Sequence, residues 1–272
     1  MHAQPEIGHG LPCLRLTQQG ASALVALHGA QVLSWKPDDG RERLFVSTRA
    51  VFDGKAAIRG GIPVIFPQFG ERGTLRRHGF ARNQPWRFAG VRDAAAVFEL
   101  QYANGDALWP YPCVARLHIA LSASRLCVTL EIENTGDAAF AFTAALHTYL
   151  RVEDIAQVAI AGLQGCDFED SANGGTLHRQ SDFEVRCSGE TDRIYNDVVA
   201  PLMLVDGARQ LCIEQTGFAD AVVWNPGESQ CMRIGDLAPQ EWQQFVCVEA
   251  GQVLQPVLLP AGERWRGMQC LG

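Results

Sequence analysis

The sequence lacks the features that mark several large classes of protein. It has no Lys- or Arg-rich run, and 30 acidic against 23 basic residues give it a formal net charge of −7. Nucleic acids and acidic membranes bind basic surfaces, so we expect neither as a partner. The longest apolar stretch, Ala138 to Leu146, is far too short to cross a bilayer, which takes about 20 residues.

Local metal and nucleotide motifs are missing too. None of the seven histidines and nine cysteines shows HxxH, HExxH or CxxC spacing, so we expect no metal. A GxSxG elbow, a Walker loop and a dinucleotide glycine fingerprint are absent, which leaves serine hydrolysis, nucleotide hydrolysis and nicotinamide chemistry without support. The scattered cysteines and the lack of a secretory signal predict reduced, buried thiols in a cytoplasmic protein.

What the chain does have is alternation of apolar and polar residues with a period of two. The segments 114–121 and 126–133 predict an antiparallel hairpin with one buried face. Its expected inward residues are Leu117, Ile119, Leu121, Val128, Leu130 and Ile132, and its expected outward residues are Arg116, His118, Glu131 and Glu133. Further strands are predicted at 23–27, 31–35, 44–47, 97–102, 140–146, 157–160, 201–205, 211–215, 221–224, 245–249, 253–259 and 263–269.

Turn signals separate these strands at short intervals, for example at Asn104-Gly105, Asn134-Thr135-Gly136 and Asn225-Pro226-Gly227. Many short strands predict an all-β fold, a large antiparallel β-sandwich with very little helix. Only 239–244 favours a short helix. Neither a repeat nor a linker divides the chain, so we expect a single domain over 1–272, by default a monomer, with a concave sheet face suited to a sugar or another small polar ligand.

Two neighbouring segments, 58–70 and 78–83, combine a stiff backbone with cationic side chains. Glycines permit close backbone approach, prolines restrict the chain, and Arg59 and Arg82 each carry a planar fork of donors for a phosphate or carboxylate. This pattern indicates an anion site. A tight loop with two surface arginines is the alternative, and either arginine alone would favour it.

His147 follows the predicted apolar strand 140–146, and Glu249 ends the predicted apolar strand 245–249. A buried carboxylate needs a partner or its pKa rises, which makes it a competent base near neutral pH. A histidine and a glutamate in such positions can move two protons at once. Ordinary buried hydrogen bonds explain the same residues equally well.

Asp192 and Trp224 are further candidates for a sugar pocket, since a carboxylate accepts hydrogen bonds from hydroxyl groups and an aromatic ring packs on a pyranose. Simpler interpretations exist for both. Asp192-Arg193 is typical of a turn with a surface charge pair, and Trp224 is typical of a core aromatic at a strand end.

Taken together, these residues resemble the hexose-6-phosphate 1-epimerases, a branch of the aldose 1-epimerase (galactose mutarotase-like) superfamily. The resemblance covers most of the chain and is carried, in order, by Gly29-Ala30-Gln31-Val32, Ile58-Arg59-Gly60-Gly61-Ile62-Pro63, Phe66-Pro67-Gln68-Phe69-Gly70, His78-Gly79-Phe80-Ala81-Arg82-Asn83, Leu146-His147-Thr148-Tyr149, Thr191-Asp192-Arg193-Ile194-Tyr195, Val223-Trp224-Asn225-Pro226 and Cys247-Val248-Glu249. The chain departs from the family pattern at Arg76-Arg77, Leu150 and Ala250.

The resemblance implies a single β-supersandwich domain, no metal and no organic cofactor. It implies interconversion of the α and β anomers of a hexose 6-phosphate, with His147 as general acid and Glu249 as general base. His78 and Asp192 would hold the sugar, and Arg59 and Arg82 the phosphate. Gln68 and Trp224, which lie in the matching motifs, are taken as further substrate-binding residues.

Two alternatives stay open at this stage. The protein could be an aldose 1-epimerase acting on unphosphorylated hexoses, in which case Arg59 and Arg82 hardly matter for turnover. It could also be a non-catalytic sugar-phosphate-binding protein on the same fold, although a binding module has no need of an acid–base pair.

Overall fold

The computed structural model describes residues 1–103 and 109–272, and these residues form three antiparallel sheets. The first eleven strands are β1 (His2–Gly8), β2 (Leu11–Gln18), β3 (Ala21–Ala26), β4 (Val32–Lys36), β5 (Val64–Ile65), β6 (Arg87–Arg92), β7 (Ala95–Tyr102), β8 (Cys113–Leu121), β9 (Leu126–Asn134), β10 (Phe140–Leu146) and β11 (Tyr149–Arg151). The remaining ten are β12 (Val158–Ala161), β13 (Asp167–Asp170), β14 (Thr176–Arg179), β15 (Glu184–Val185), β16 (Thr191–Tyr195), β17 (Leu202–Asp206), β18 (Arg209–Thr216), β19 (Asp220–Asn225), β20 (Phe245–Leu259) and β21 (Arg264–Leu271).

A four-stranded sheet has the order β1-β2-β3-β4. An eight-stranded sheet has the order β14-β13-β16-β19-β20-β10-β5, and β11 pairs with β20 beside that path. A nine-stranded sheet has the order β15-β12-β17-β18-β21-β9-β8-β7-β6. Helix in the described residues is confined to α1 (Gly227–Cys231) and to four 3-10 turns at Ala81–Asn83, Ile155–Gln157, Ser171–Asn173 and Glu241–Gln244. The predicted all-β class is confirmed.

The hairpin predicted from alternation is present with the expected faces. Leu117 pairs with Leu130 and Ile119 with Val128, and all four side chains are buried in the main core. Glu131 lies on the outer face but is only 2% exposed, because Arg116 and Arg266 cover it in ion pairs. Opposite charges on neighbouring strands thus close over a carboxylate that sequence alone places in solvent.

Some of the predicted elements differ from the structure. The segment predicted as a strand at 44–47 makes only isolated bridges, through Leu44 and Val46. The strands predicted at 245–249 and 253–259 are one continuous strand, β20. The predicted helix at 239–244 is a 3-10 turn over Glu241–Gln244. The turn predicted at Asn104-Gly105 lies outside the described residues.

The expectation of reduced thiols is wrong for Cys127 and Cys270. These residues are register partners on the paired strands β9 and β21, with Cα atoms 4.1 Å apart, and they form a disulfide. The other seven cysteines are free. Spacing could not reveal this pair, because 143 residues of sequence separate the two positions. No helix in the described part of the chain is long and apolar enough to cross a membrane.

Candidate active site

A cavity of about 390 Å³ lies against one face of the eight-stranded sheet. Successive residues of a strand point to opposite faces, so β20 sends Val246, Val248 and Ala250 into the main core. Glu249, between two of them, lines the cavity together with Val222 of β19, its register partner. The sheet therefore places a carboxylate on the cavity floor while its neighbours in sequence hold the strand to the core.

Sheet register also brings His147 to Glu249. Leu146 of β10 pairs with Ala250, and Tyr149 of β11 pairs with Cys247, so His147 falls at the break between two strands that flank the same stretch of β20. At this break the backbone N–H of His147 donates to the carbonyl of Pro63 at 3.0 Å. Residues about 100 positions apart in sequence thus meet through strand pairing.

The glycine-rich segment is fixed against this break by close backbone contacts. The N–H of Tyr149 donates to the carbonyl of Gly61 at 2.9 Å, which holds the neighbouring Arg59 beside the cavity. Gly61 has φ +63, and a Cβ there would lie 2.1 Å from the carbonyl oxygen of Val32. Only glycine fits this approach.

His147 and Glu249 form a buried pair. Nδ1 of His147 lies 3.3 Å from Oε1 of Glu249, and the two residues are 7% and 1% exposed. The contact is not a hydrogen bond, since Nδ1 and the second carboxyl oxygen, Oε2, are buried and have no hydrogen-bond partner among the described residues. Buried polar atoms that lack partners are rare in folded proteins and call for an explanation, of which a catalytic role is one.

Burial shifts the pKa values of both residues so that the neutral form of each is favoured. It lowers the pKa of His147 well below its usual value, with the positive charges of Arg82 and Arg59 as further causes. It raises the pKa of Glu249 well above its usual value, with the negative charge of Asp192 as a further cause. In the unliganded protein burial therefore disfavours both the imidazolium of His147 and the carboxylate of Glu249.

Arg59 and Arg82 both line the cavity, but they are held differently. Nε of Arg59 donates to Asp236 at 3.1 Å, and Nη1 donates to the hydroxyl of Tyr149 at 3.0 Å. Among the described residues, no carboxylate forms an ion pair with Arg82. Its Nη2 donates to the carbonyl of Arg77 at 3.1 Å, and its Nε is buried without a partner.

Burial and the positive charges of the neighbouring arginines together lower the pKa of Arg82 to about 10. A cation that burial has partly stripped of water, with no anion beside it, is stabilised by any anion that enters the cavity.

His78 lies close to the pair, with its ring centroid 5.6 Å from that of His147. Its Nδ1 accepts the backbone N–H of Gly70 at 3.2 Å, so the neutral ring carries its proton on Nε2. Burial and the charge of Arg82 lower its pKa, which keeps the ring neutral. His78 is thereby a hydrogen-bond donor with a fixed tautomer.

Asp192 and Trp224 also line the cavity, on the paired strands β16 and β19. Asp192 sits within a strand and not in the turn that its neighbour Arg193 suggested. Burial raises its pKa to about 6. Trp224 stands edge-on to His147, with ring centroids 5.9 Å apart.

Gln68 is the predicted site residue that the structure does not bring into the cavity lining. Its amide nitrogen donates to the carbonyls of Gly70 and Leu75, each at 3.1 Å, and its oxygen accepts the N–H of Leu75 at 3.0 Å. These bonds shape the loop that carries Glu71, Arg72 and Arg77 to the cavity. Gln68 therefore acts on the site through its loop.

One group of side chains could in principle hold a metal ion. One ligand atom from each of His147, Cys247 and Glu249 lies within 4.8 Å of the others. Sequence spacing could not show this group, because its members come from separate segments. Structural zinc sites use four ligands, and the positive charges of Arg59 and Arg82 beside this group oppose a divalent cation. The expectation of no metal stays a prediction.

Sequence reasoning missed several residues of the site. Tyr149 lies in one of the motifs that carry the family resemblance. Its position two residues after His147 was the signal that could have identified it as part of the site. Asp236, which orients Arg59, gave no signal. Other cavity residues that were not predicted are Phe69, Ser171, Glu190, Ile194, Val222, Gln230 and Ile234.

Comparison with known proteins yields consistent matches. The sequence profile of the family described as Aldose 1-epimerase matches residues 12–270. A protein of Cenchrus ciliaris, provisionally named a glucose-6-phosphate 1-epimerase, is 36% identical over 260 residues, which cover 90% of this chain and 79% of that protein.

Solved structures agree with the sequence matches. A crystal structure from Salmonella typhimurium, provisionally named a mutarotase, has a TM-score of 0.86 at 29% identity and covers 99% of this chain and 92% of its own. A galactose mutarotase-like protein from Clostridium acetobutylicum shares the fold, with a TM-score of 0.77 at 14% identity over 100% of this chain and 98% of its own. The profile match over nearly the whole sequence and the identity to the Cenchrus ciliaris protein show that this chain belongs to the aldose 1-epimerase family.

Proposed function

We propose that this protein is an isomerase that interconverts the α and β anomers of a hexose 6-phosphate by opening and closing the pyranose ring. The observation that carries the proposal is the presence, in one cavity, of a buried His147–Glu249 pair and of Arg82, a partly buried arginine with which no carboxylate of the described residues forms an ion pair. The pair supplies the two groups that acid–base catalysis of ring opening needs, and the arginine supplies a positive charge that can bind an anionic substrate. The provisional names of the relatives at 33 to 36% identity agree with this combination.

In this proposal Glu249 takes the proton of the C1 hydroxyl group while His147 protonates the ring oxygen. The C1–O5 bond breaks and a free aldehyde forms. After rotation about C1–C2 the two groups exchange roles: protonated Glu249 returns its proton to the aldehyde oxygen as the O5 hydroxyl attacks C1 and gives its proton to His147. The pair ends in its starting state, and each proton transfer contributes roughly 10²–10⁴-fold.

Arg59 and Arg82 would hold the 6-phosphate. Asp236 and Tyr149 fix the guanidinium of Arg59, so its remaining donors are oriented before the substrate arrives. The phosphate would give Arg82 an anionic partner, which no carboxylate of the described residues supplies. Charge-assisted bonds at one end of the substrate would anchor it while the C1 end rotates.

Asp192, His78 and Trp224 would position the sugar ring. Asp192 accepts from hydroxyl groups once it is ionised, and His78 donates through Nε2. Trp224 offers an aromatic edge next to the acid–base pair. Gln68 would contribute only through the loop that it holds.

We further propose a single domain over 1–272, a monomer in solution and a cytoplasmic location. The match of one family profile to 12–270 supports the single domain. The disulfide between Cys127 and Cys270 is uncommon in cytoplasmic proteins, so the location is best tested directly by fractionation. No metal or organic cofactor is part of the mechanism.

The substrate class is tested by comparing anomer exchange on glucose 6-phosphate and on free glucose. We expect a much higher kcat/KM for the phosphorylated sugar and a loss of that preference in Arg82→Gln. Equal rates on both sugars would favour an aldose 1-epimerase of unphosphorylated hexoses. Saturable binding of glucose 6-phosphate without exchange would favour the binding protein.

A further inference from the structure

We propose that the arginine site activates the acid–base pair as well as anchoring the substrate: an oxyanion bound at Arg59 and Arg82 promotes ring opening even when it is not joined to the sugar. This inference rests on the proposed function and extends it. It assigns the protein a further activity, the anion-stimulated mutarotation of an unphosphorylated aldose.

Arg82 is the part of the site that an anion changes most. In the described chain it faces no ion-pairing carboxylate, and its Nε is buried without a partner. Arg76 and Arg77 lie near enough to repel it. A doubly charged oxyanion in the cavity would therefore remove an unbalanced positive charge, and not merely add a contact.

Arg59 links the anion site to the acid physically. Its Nη1 bonds to the hydroxyl of Tyr149 at 3.0 Å, and the ring of Tyr149 stacks on the imidazole of His147 with centroids 4.8 Å apart and planes 10° from parallel. An anion that binds Arg59 acts on the group that already holds one face of His147. The link needs no movement of the backbone.

The empty site disfavours the protonation state that catalysis needs. Ring opening in the proposed direction requires Glu249 ionised and His147 protonated, whereas burial in the unliganded protein disfavours both of these charged forms. The positive charges of Arg82 and Arg59 both lower the pKa of His147, while only Arg82 lowers the pKa of Glu249. A dianion that offsets both arginines therefore favours His147 more than Glu249, and the proton moves towards His147.

Arg77 and Asp192 also face the pair and set the background against which the anion acts. Arg77 adds a further positive charge at His147, and Asp192 adds a negative charge at Glu249. Without the anion, neither residue favours the state that ring opening needs. The charge of Arg77 disfavours a proton on His147, and the charge of Asp192 favours a proton on Glu249.

The test uses D-xylose, which has the pyranose of glucose without the C6 group, together with sulfate, a dianion that is a negligible base near neutral pH. Enzyme-dependent anomer exchange of xylose is measured by NMR against sulfate concentration, with enzyme-free samples subtracted. We expect saturable activation of about 5- to 150-fold, the usual range for coupling between two sites. Sulfate should also move the ¹⁵N shifts of His147 towards those of imidazolium.

Two variants make the test specific. Arg82→Gln should abolish the sulfate activation, and the exposed Arg92→Gln should retain it, because Arg92 lies outside the cavity. Glucose 6-phosphate exchange is measured in parallel with the same samples. Fast exchange of glucose 6-phosphate, with sulfate competing for its site but leaving xylose exchange unchanged, would overturn the activation and leave the proposed function standing. Failure to exchange glucose 6-phosphate would remove both.

Discussion

Nδ1 of His147 and Oε1 of Glu249 lie 3.3 Å apart at the cavity floor, and among the described residues Nδ1 has no hydrogen-bond partner. Most buried ionisable pairs in proteins are aligned and satisfied. This pair is in close contact without a regular hydrogen bond, and it leaves Nδ1 of His147 and Oε2 of Glu249 without partners among the described residues. That combination distinguishes it from a structural ion pair.

Glu249→Gln and His147→Gln test the pair without opening a large space in the core. Each substitution should lower kcat by roughly 10²–10⁴-fold, because each removes one of the two proton transfers. Binding of glucose 6-phosphate, measured by calorimetry, should survive, since the arginines are untouched. The exposed Glu228→Gln is the control. Near-normal turnover in either buried variant would contradict the assigned chemistry.

Asp192→Asn should raise stability while it weakens sugar binding. Burial raises the pKa of Asp192 from 3.8 to about 6, so the folded chain binds more protons than the unfolded chain in that range. The free energy of unfolding therefore falls as the pH rises through this window, and the neutral amide escapes that loss. The shift corresponds to at most about 3 kcal/mol, and screening by solvent leaves on the order of 1 kcal/mol.

Thermal unfolding of Asp192→Asn and of the wild type at about pH 7.5 and about pH 4.5 measures this effect, and the gain in Tm should be larger at the higher pH. The exposed Asp182→Asn serves as the control. A lower Tm for Asp192→Asn at the higher pH would show that the carboxylate has a stabilising partner.

Tyr149→Phe removes the hydroxyl group that orients Arg59 and leaves the ring stacked on His147. The half-saturating concentration of glucose 6-phosphate should rise about tenfold, since a hydrogen bond to a charged group contributes about 1.5 kcal/mol or more. Tyr195→Phe is a matched control, because its buried hydroxyl bonds to Gln180 away from the cavity. Equal effects of the two substitutions would mean that Arg59 does not need Tyr149.

Gly79→Ala should destabilise the protein and disorganise the anion site. Gly79 has φ +70, and a Cβ there would meet the carbonyl oxygen of Phe66 at 2.2 Å. The segment carrying His78 and Arg82 would have to move, at a cost of several kcal/mol. Gly235→Ala has open space and is the control. Unfolding in denaturant compares the two, and equal stability would contradict the close approach of Gly79 to Phe66.

The sequence allowed the fold class and most of the central strands to be predicted, since alternation in segments such as 114–121 reports a half-buried strand directly. It did not reveal β1 and β2, in which the alternation of apolar and polar residues is less regular. It also did not reveal that β20 continues through Gly251. Asp-Arg is common in turns, which favoured a turn at Asp192, and only the pairing of Asp192 with Trp224 shows the strand.

For the site, motif residues were easier to identify than their supports. Arg59, Arg82, His147 and Glu249 carry chemistry that residue type and strand position indicate, and all four line the cavity. Asp236, which orients Arg59 from 177 residues away, depends on tertiary contact alone. The disulfide and the buried Nε of Arg82, which has no partner among the described residues, are likewise properties of packing, and no local pattern encodes them.

The most direct test of the proposed function is NMR saturation transfer between the H1 resonances of α- and β-glucose 6-phosphate with catalytic amounts of protein. We expect transfer well above the spontaneous rate with the wild type, lost in Glu249→Gln despite retained binding. Transfer at the spontaneous rate with folded, substrate-binding wild-type protein would contradict the proposed function.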